Sequence, residues 1–84
     1  LPGSGRDQYL EEIEVEAESD LCGKTVLEAQ TLSRGAAILA IRKKGKQIIP
    51  KPPDDKIIES GDRLVILGVR EQLIKLEDKA EPAL

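Results

Sequence analysis

The stretch from Lys51 to Gly68, KPPDDKIIESGDRLVILG, constrains this chain more than any other. A proline-closed loop leads into the acidic turn Ser60-Gly61-Asp62, and a short aliphatic strand, Leu64 to Leu67, follows and stops at Gly68. Because the strand is apolar on both faces, it belongs in the interior of a sheet. Gly61 can adopt the positive φ of a tight turn, and the carboxylate of Asp62 can accept hydrogen bonds from nearby backbone amides. Together the pair delivers the chain into the strand at a fixed angle. Gly61 and Asp62 are therefore read as a structural turn.

The size of the chain limits what can be built around that strand. With 84 residues, a single domain buries only roughly 60 to 65% of the surface its unfolded chain exposes. With one Tyr and no Phe, Trp or Met, the core must be Ile, Leu, Val and Ala. A lone Cys22 excludes an internal disulfide, and the absence of His argues against a zinc site. Oligomerisation is the remaining way to bury more apolar surface, so a homodimer is expected. No apolar run approaches the ~18 residues of a membrane span, and a reduced thiol suits the cytosol. Leu1 to Gly5 reads as a linker or expression scar, which implies a piece of a longer protein.

The net charge of −3 conceals a segregation. Seven acids and no base lie between Asp7 and Asp20, whereas six bases and no acid lie between Arg34 and Lys51. The basic segment is either a solvated hairpin face balancing the acidic first strand or an anion site, since clustered Lys and Arg around a Gly turn concentrate phosphate-bearing ligands.

In chain order, Glu12 to Ala17 alternates strictly, placing Ile13, Val15 and Ala17 on one face of an edge strand whose outer charges discourage stray pairing. Thr25-Val26-Leu27-Glu28 has capping-box spacing and predicts a short helix from about Val26 to Thr31, with Val26, Ala29 and the flanking Leu27 packing inward. Cys22-Gly23-Lys24-Thr25 is not a P-loop, because that motif needs Gly five positions before Gly23, where this chain has Glu18. Ala36 to Ile41 is a central strand, Lys43 to Lys46 a hairpin turn, and Gln47 to Ile49 the return, ended by Pro50. Asp54-Asp55 lacks the spaced oxygens of a calcium loop and reads as turn residues. Val69, Leu73 and Leu76 at i, i+4 and i+7 predict an amphipathic helix over 69–78, followed by a frayed tail.

The expected class is α+β, a small mixed or antiparallel four-stranded sheet with two helices on one face. The expected layout is a linker over 1–10, a domain over 11–79 and a tail over 80–84. The half-buried strand followed by Leu21-x-Gly23-Lys24-Thr25, the run Ile38 to Arg42, the turn Lys44-Gly45, then Ile49-x-x-Pro52 or Ile48-x-Pro50, and Ile57-x-x-Ser60-Gly61-Asp62-x-Leu64-Val65-x-x-Gly68 together resemble the RCK_C or TrkA-C domain, the C-terminal domain of regulator-of-potassium-conductance proteins. The resemblance covers about Glu11 to Leu76. It implies a symmetric dimer on the cytosolic side of a potassium (or other ion) channel or transporter, or inside an anion permease, partnered by the rest of that chain or its membrane subunit. No Gly-x-Gly-x-x-Gly follows a strand, so no dinucleotide cofactor is expected.

In part of the family the resemblance further implies a regulatory ligand, cyclic di-AMP, in the cleft on the dimer axis. By position its contacts would be Ala37, Ile38, Arg42, Lys43, Ile48 and Pro50, with the cations on the phosphates and the apolar residues against the purines, the alternative being that Ile38 and Ile48 are simply core and dimer contacts. The chain departs from several binders in carrying Ala37 and lacking His. Catalysis is not expected, since no nucleophile, base or metal constellation is visible. Nucleic-acid binding is disfavoured by the acidic pI of about 5.0 and by the lack of stacking aromatics. Two readings stay open: a ligand-binding regulatory dimer and a purely structural dimerisation module.

Overall fold

The computed structural model describes residues 7–45 and 47–83. The linker expected over Leu1 to Gly5, and Lys46 of the basic turn, lie outside the described residues. The elements are β1 (Tyr9–Glu14), α1 (Val26–Leu32), β2 (Ala37–Arg42), β3 (Ile48–Pro50), β4 (Arg63–Gly68) and α2 (Arg70–Ala80). All pairings are antiparallel, in the order β1-β4-β2-β3, so the strand after the Gly61-Asp62 turn lies inside the sheet, as its two apolar faces require.

The alternation of each strand decides which side chains meet the helices. Leu64 and Ile66 of β4, Ile38 and Ile41 of β2 and the helix residues Val26, Ala29, Leu73 and Leu76 form one buried cluster, with Ile13 and Ile49 packed at its margins. This all-aliphatic core lies between the sheet and both helices. In β2 a register shift between Ile38 and Ala40 places Ile38 and Ile41, three residues apart, on the same side. Strict alternation would have paired Ile38 with Ala40; the bulge at Leu39 breaks that period and re-aims the strand.

The local signals act as their chemistry predicts. The Thr25 Oγ1 accepts from the Glu28 amide at 3.0 Å, and the Glu28 carboxylate accepts from the Thr25 amide at 2.8 Å, closing the capping box of α1. Leu27, expected to pack, is instead exposed: Val26 and Ala29 supply the inward face of this seven-residue helix. Gln30 Oε1 accepts from the Ile38 amide at 2.8 Å, satisfying a donor beside the bulge.

Boundaries differ at the ends. Tyr9 and Leu10, placed in the linker by sequence, are the first residues of β1, because β4 offers them partners in Gly68 and Leu67. The stretch read as a frayed tail is tied back, with Ser19 bridging Pro82 and the Ala83 amide donating to the Glu18 carbonyl at 3.1 Å.

Candidate functional site

Both helices cover one side of the sheet, leaving the other side open. Cross-strand register puts Leu10, Glu12 and Glu14 of β1, Arg63, Val65 and Leu67 of β4, Ala37, Ala40 and Arg42 of β2, and Ile48 and Pro50 of β3 on that side. The face divides into an apolar strip and a charged end where Arg42, Arg63, Glu12 and Glu14 meet.

Four of the six residues expected to hold a ligand share this face. Ala37 stands at the start of β2 opposite Leu67, Arg42 at its end opposite both Arg63 and Ile48, and Pro50 opposite Ala40. Ile48 is 52% exposed. The other two are placed differently. The Ile38 side chain is only 5% exposed and belongs to the core beneath the strand. Lys43, the residue after β2, turns its ammonium towards the acidic turn: its Nζ lies 2.7 Å from Asp62 Oδ1 and 2.7 Å from Glu59 Oε1.

That turn is built as its sequence suggests. Gly61 has φ +89°, in the left-handed region, and its amide donates to the Val15 carbonyl at 2.7 Å. Asp62 is 2% exposed, and its Oδ2 accepts from the Glu59 amide at 2.9 Å. Burial opposes the charge on Lys43, yet the hydrogen bonds it donates to Asp62 and Glu59 outweigh that cost and hold its pKa above the usual lysine range. The same Lys43 hydrogen bond holds the Glu59 carboxyl below its ordinary value.

At the charged end, one carboxylate oxygen serves two guanidinium groups. Glu12 Oε2 accepts from Arg63 Nε at 2.7 Å and from Arg42 Nε at 3.2 Å, and Arg63 also reaches Glu14 Oε1 at 3.4 Å. The Arg63 hydrogen bond, followed by the attraction of Arg42, keeps the Glu12 carboxyl below its ordinary pKa. The sequence reading did not single out Arg63 or Glu12. Arg63 directly follows Asp62 and alternates with Val65 and Leu67, a signal that acquires meaning only once β4 is known to neighbour β2.

The family model of the TrkA-C domain matches residues 10–80. The chain belongs to the TrkA-C family. This is a regulatory family rather than a catalytic one. Potassium channel protein 1 of Methanocaldococcus jannaschii is 47% identical over 47 residues, which are 56% of this chain and 14% of that protein, so the chain spans only a small part of the relative's length. Among solved structures, the RCK_C domain dimer of S. agalactiae BusR in complex with c-di-AMP superposes with a TM-score of 0.73 at 26% identity, covering 84% of this chain and 88% of the other. BusR has also been solved in complex with its busAB-promotor DNA, so the expectation of no nucleic acid does not extend to every protein that carries such a domain. The GsuK channel bound to NAD superposes with a TM-score of 0.61 at 25% identity, covering 90% of this chain and 14% of that one. No helix among the described residues is long and apolar enough to cross a membrane.

Proposed function

We propose that this TrkA-C domain is a regulatory module of a potassium channel or transporter, that it works as a homodimer on the cytosolic side of the membrane, and that the dimer binds cyclic di-AMP. The observation that carries the reading is the shared open face. Arg42, Ile48, Pro50 and Ala37 present a cation and apolar surface together, in a fold that superposes on 88% of one chain of the BusR RCK_C domain dimer solved in complex with c-di-AMP. A flat face on one chain encloses little, but two copies related by a two-fold axis form a cleft with an Arg42 from each side, suited to a ligand with two phosphates. Ile38 and Lys43 support this site from behind, one by filling the core under β2 and the other by fixing the end of β2 to the Asp62 turn.

The reading assigns no cofactor, no catalysis and no nucleic acid to this domain. Nucleic acid is disfavoured by the net charge of −3, and Tyr9 is the one aromatic available for base stacking. The exposed apolar residues Leu10, Leu39 and Ile48 favour a second reading, a structural dimerisation module without its own ligand. Light scattering and calorimetry separate the two. The expected result is a dimer that binds one cyclic di-AMP more tightly than AMP or ATP, with Arg42→Ala weakening binding by about 1.5 to 3 kcal/mol while leaving the dimer intact. A dimer giving neither heat nor thermal shift with cyclic di-AMP removes the ligand and leaves the structural module. A strict monomer removes both.

A further inference from the structure

Arg42 and Arg63 are cross-strand partners on the open face, and like charges directly opposite one another repel. Their pairing is tolerable because Glu12 reaches across from β1 to touch both. We propose that Arg63 is the second arginine of the anion site and that Glu12 is its resident counter-ion, displaced when a phosphodiester ligand binds. The proposal rests on the reading that such a ligand docks at Arg42.

Three features of the cluster support it. First, Glu12 occupies the spot a phosphate oxygen would take: a single anionic oxygen within hydrogen-bond distance of both Nε atoms, at 2.7 and 3.2 Å. Second, both guanidinium groups keep donors in reserve. Each carries five N–H donors; among the described residues Arg42 spends one on a carboxylate and Arg63 spends two, the second at a long 3.4 Å. A phosphodiester with two non-bridging oxygens can engage the Nε and terminal amino groups together, as one carboxylate oxygen cannot. Third, the partners are accessible. The side chains of Arg42, Arg63 and Glu12 are 45%, 46% and 32% exposed, and ion pairs at such exposure contribute little, so replacing one anion with another costs little.

Arg63 and Arg42 hold the Glu12 carboxyl below its ordinary value. It is therefore a competing anion at neutral pH, and the apparent affinity for the ligand is the difference between two anions on one pair of arginines. In the absence of ligand the same carboxylate holds both side chains in place and cancels their repulsion. Glu12 thus lowers affinity while organising the site.

The test follows wild type, Glu12→Gln and Arg63→Gln by calorimetry with cyclic di-AMP and by NMR of the arginine Nε–Hε signals with inorganic pyrophosphate as probe. The proposal expects Glu12→Gln to bind both roughly 3- to 10-fold more tightly and Arg63→Gln to bind both about 10-fold more weakly. It also expects the Glu12 carboxyl carbon signal of the wild-type protein to move as pyrophosphate is added, a readout that needs no variant. If cyclic di-AMP binds all three proteins equally, Arg63 and Glu12 are bystanders and the proposal is overturned, although the ligand reading stands. If cyclic di-AMP binds none but pyrophosphate shifts both arginine signals, and does so more tightly in Glu12→Gln, the counter-ion exchange stands and the ligand reading falls. If pyrophosphate moves neither arginine nor the Glu12 carboxyl, the proposal is overturned.

Discussion

Removing the Asp62 carboxylate should cost this domain more than any other single polar change. Asp62→Ala deletes the acceptor of the Glu59 amide at 2.9 Å, a charge-assisted bond of about 1.5 to 3 kcal/mol. It also strips Lys43 of its buried partner at 2.7 Å while Lys43 itself is only 18% exposed. Breaking a fully buried pair costs about 3 to 5 kcal/mol. Here Glu59, two-thirds exposed, remains as a second partner and lowers the loss. The sum is about 2 to 4 kcal/mol, against a total stability of roughly 4 to 12 kcal/mol for a domain of this size. The melting temperature should fall by about 10 to 25 °C, and urea unfolding followed by circular dichroism should show a lower midpoint at unchanged slope. A double-mutant cycle with Lys43→Met isolates the pair and should give a coupling of about 1 kcal/mol or more. A loss below about 0.5 kcal/mol for Asp62→Ala, or strict additivity with Lys43→Met, would refute the view that this pair anchors the end of β2 to the turn.

Glu77 lies beside Glu11, and that neighbouring carboxyl, together with burial, raises its pKa. A carboxyl raised on folding favours the protonated folded state, so its contribution to stability declines as pH rises from the unfolded value of about 4.5 through the folded one. Glu77→Gln should accordingly stabilise the domain at pH 7 by about 0.5 kcal/mol and flatten the fall in melting temperature as pH rises above about 4.5. Thr25→Ala removes the acceptor in the capping box of α1 and should cost about 1 kcal/mol in urea unfolding. Gly61→Ala must hold a side chain at φ +89°; its Cβ would meet only the flexible end of Lys44, so the cost should be the backbone term alone, about 1 kcal/mol.

Elements set by local chemistry were legible in the sequence, and those set by strand order were not. The capping box, the Gly61-Asp62 turn and the Leu73–Leu76 face of α2 each depend on residues within a few positions of one another and form as their spacing predicts, although Val69 caps α2 and Ala80 extends its buried face. The Lys43 to Asp62 pair joins residues 19 apart, and Glu12 reaches Arg42 across 30. The latter depends on β1 and β2 flanking β4, which no local pattern encodes. Ile38 shows a subtler limit of the sequence. AAILAI is apolar on both faces, so periodicity cannot say which residues face the helices, and the bulge at Leu39 then alters the period itself. In β1 the alternation of Glu12 to Ala17 pointed to a strand three residues too late, because β4, as partner, fixes which residues are paired.

The open face explains why its two zones belong together. An apolar strip alone, from Leu10 through Leu67 and Ala37 to Pro50, would bury well against a second copy but would tolerate sliding, since aliphatic contacts are non-directional. Charge clusters supply the missing register: a copy displaced along the sheet would set Arg42 and Arg63 against apolar neighbours and leave their charges desolvated. The sheet edges add a second restriction: β3 has only three residues and ends in Pro50, which has no amide to donate, and β1 at the other edge carries the carboxylates of Glu11, Glu12 and Glu14, so both offer poor templates for open-ended strand pairing. On the proposed reading, association is therefore directed to the face, where a two-fold axis brings two arginine pairs, each with its own Glu12, to opposite sides of one cleft. A ligand bearing two phosphates would then displace both counter-ions in a single event, so the dimer responds to the second phosphate as well as the first, which a mononucleotide does not offer.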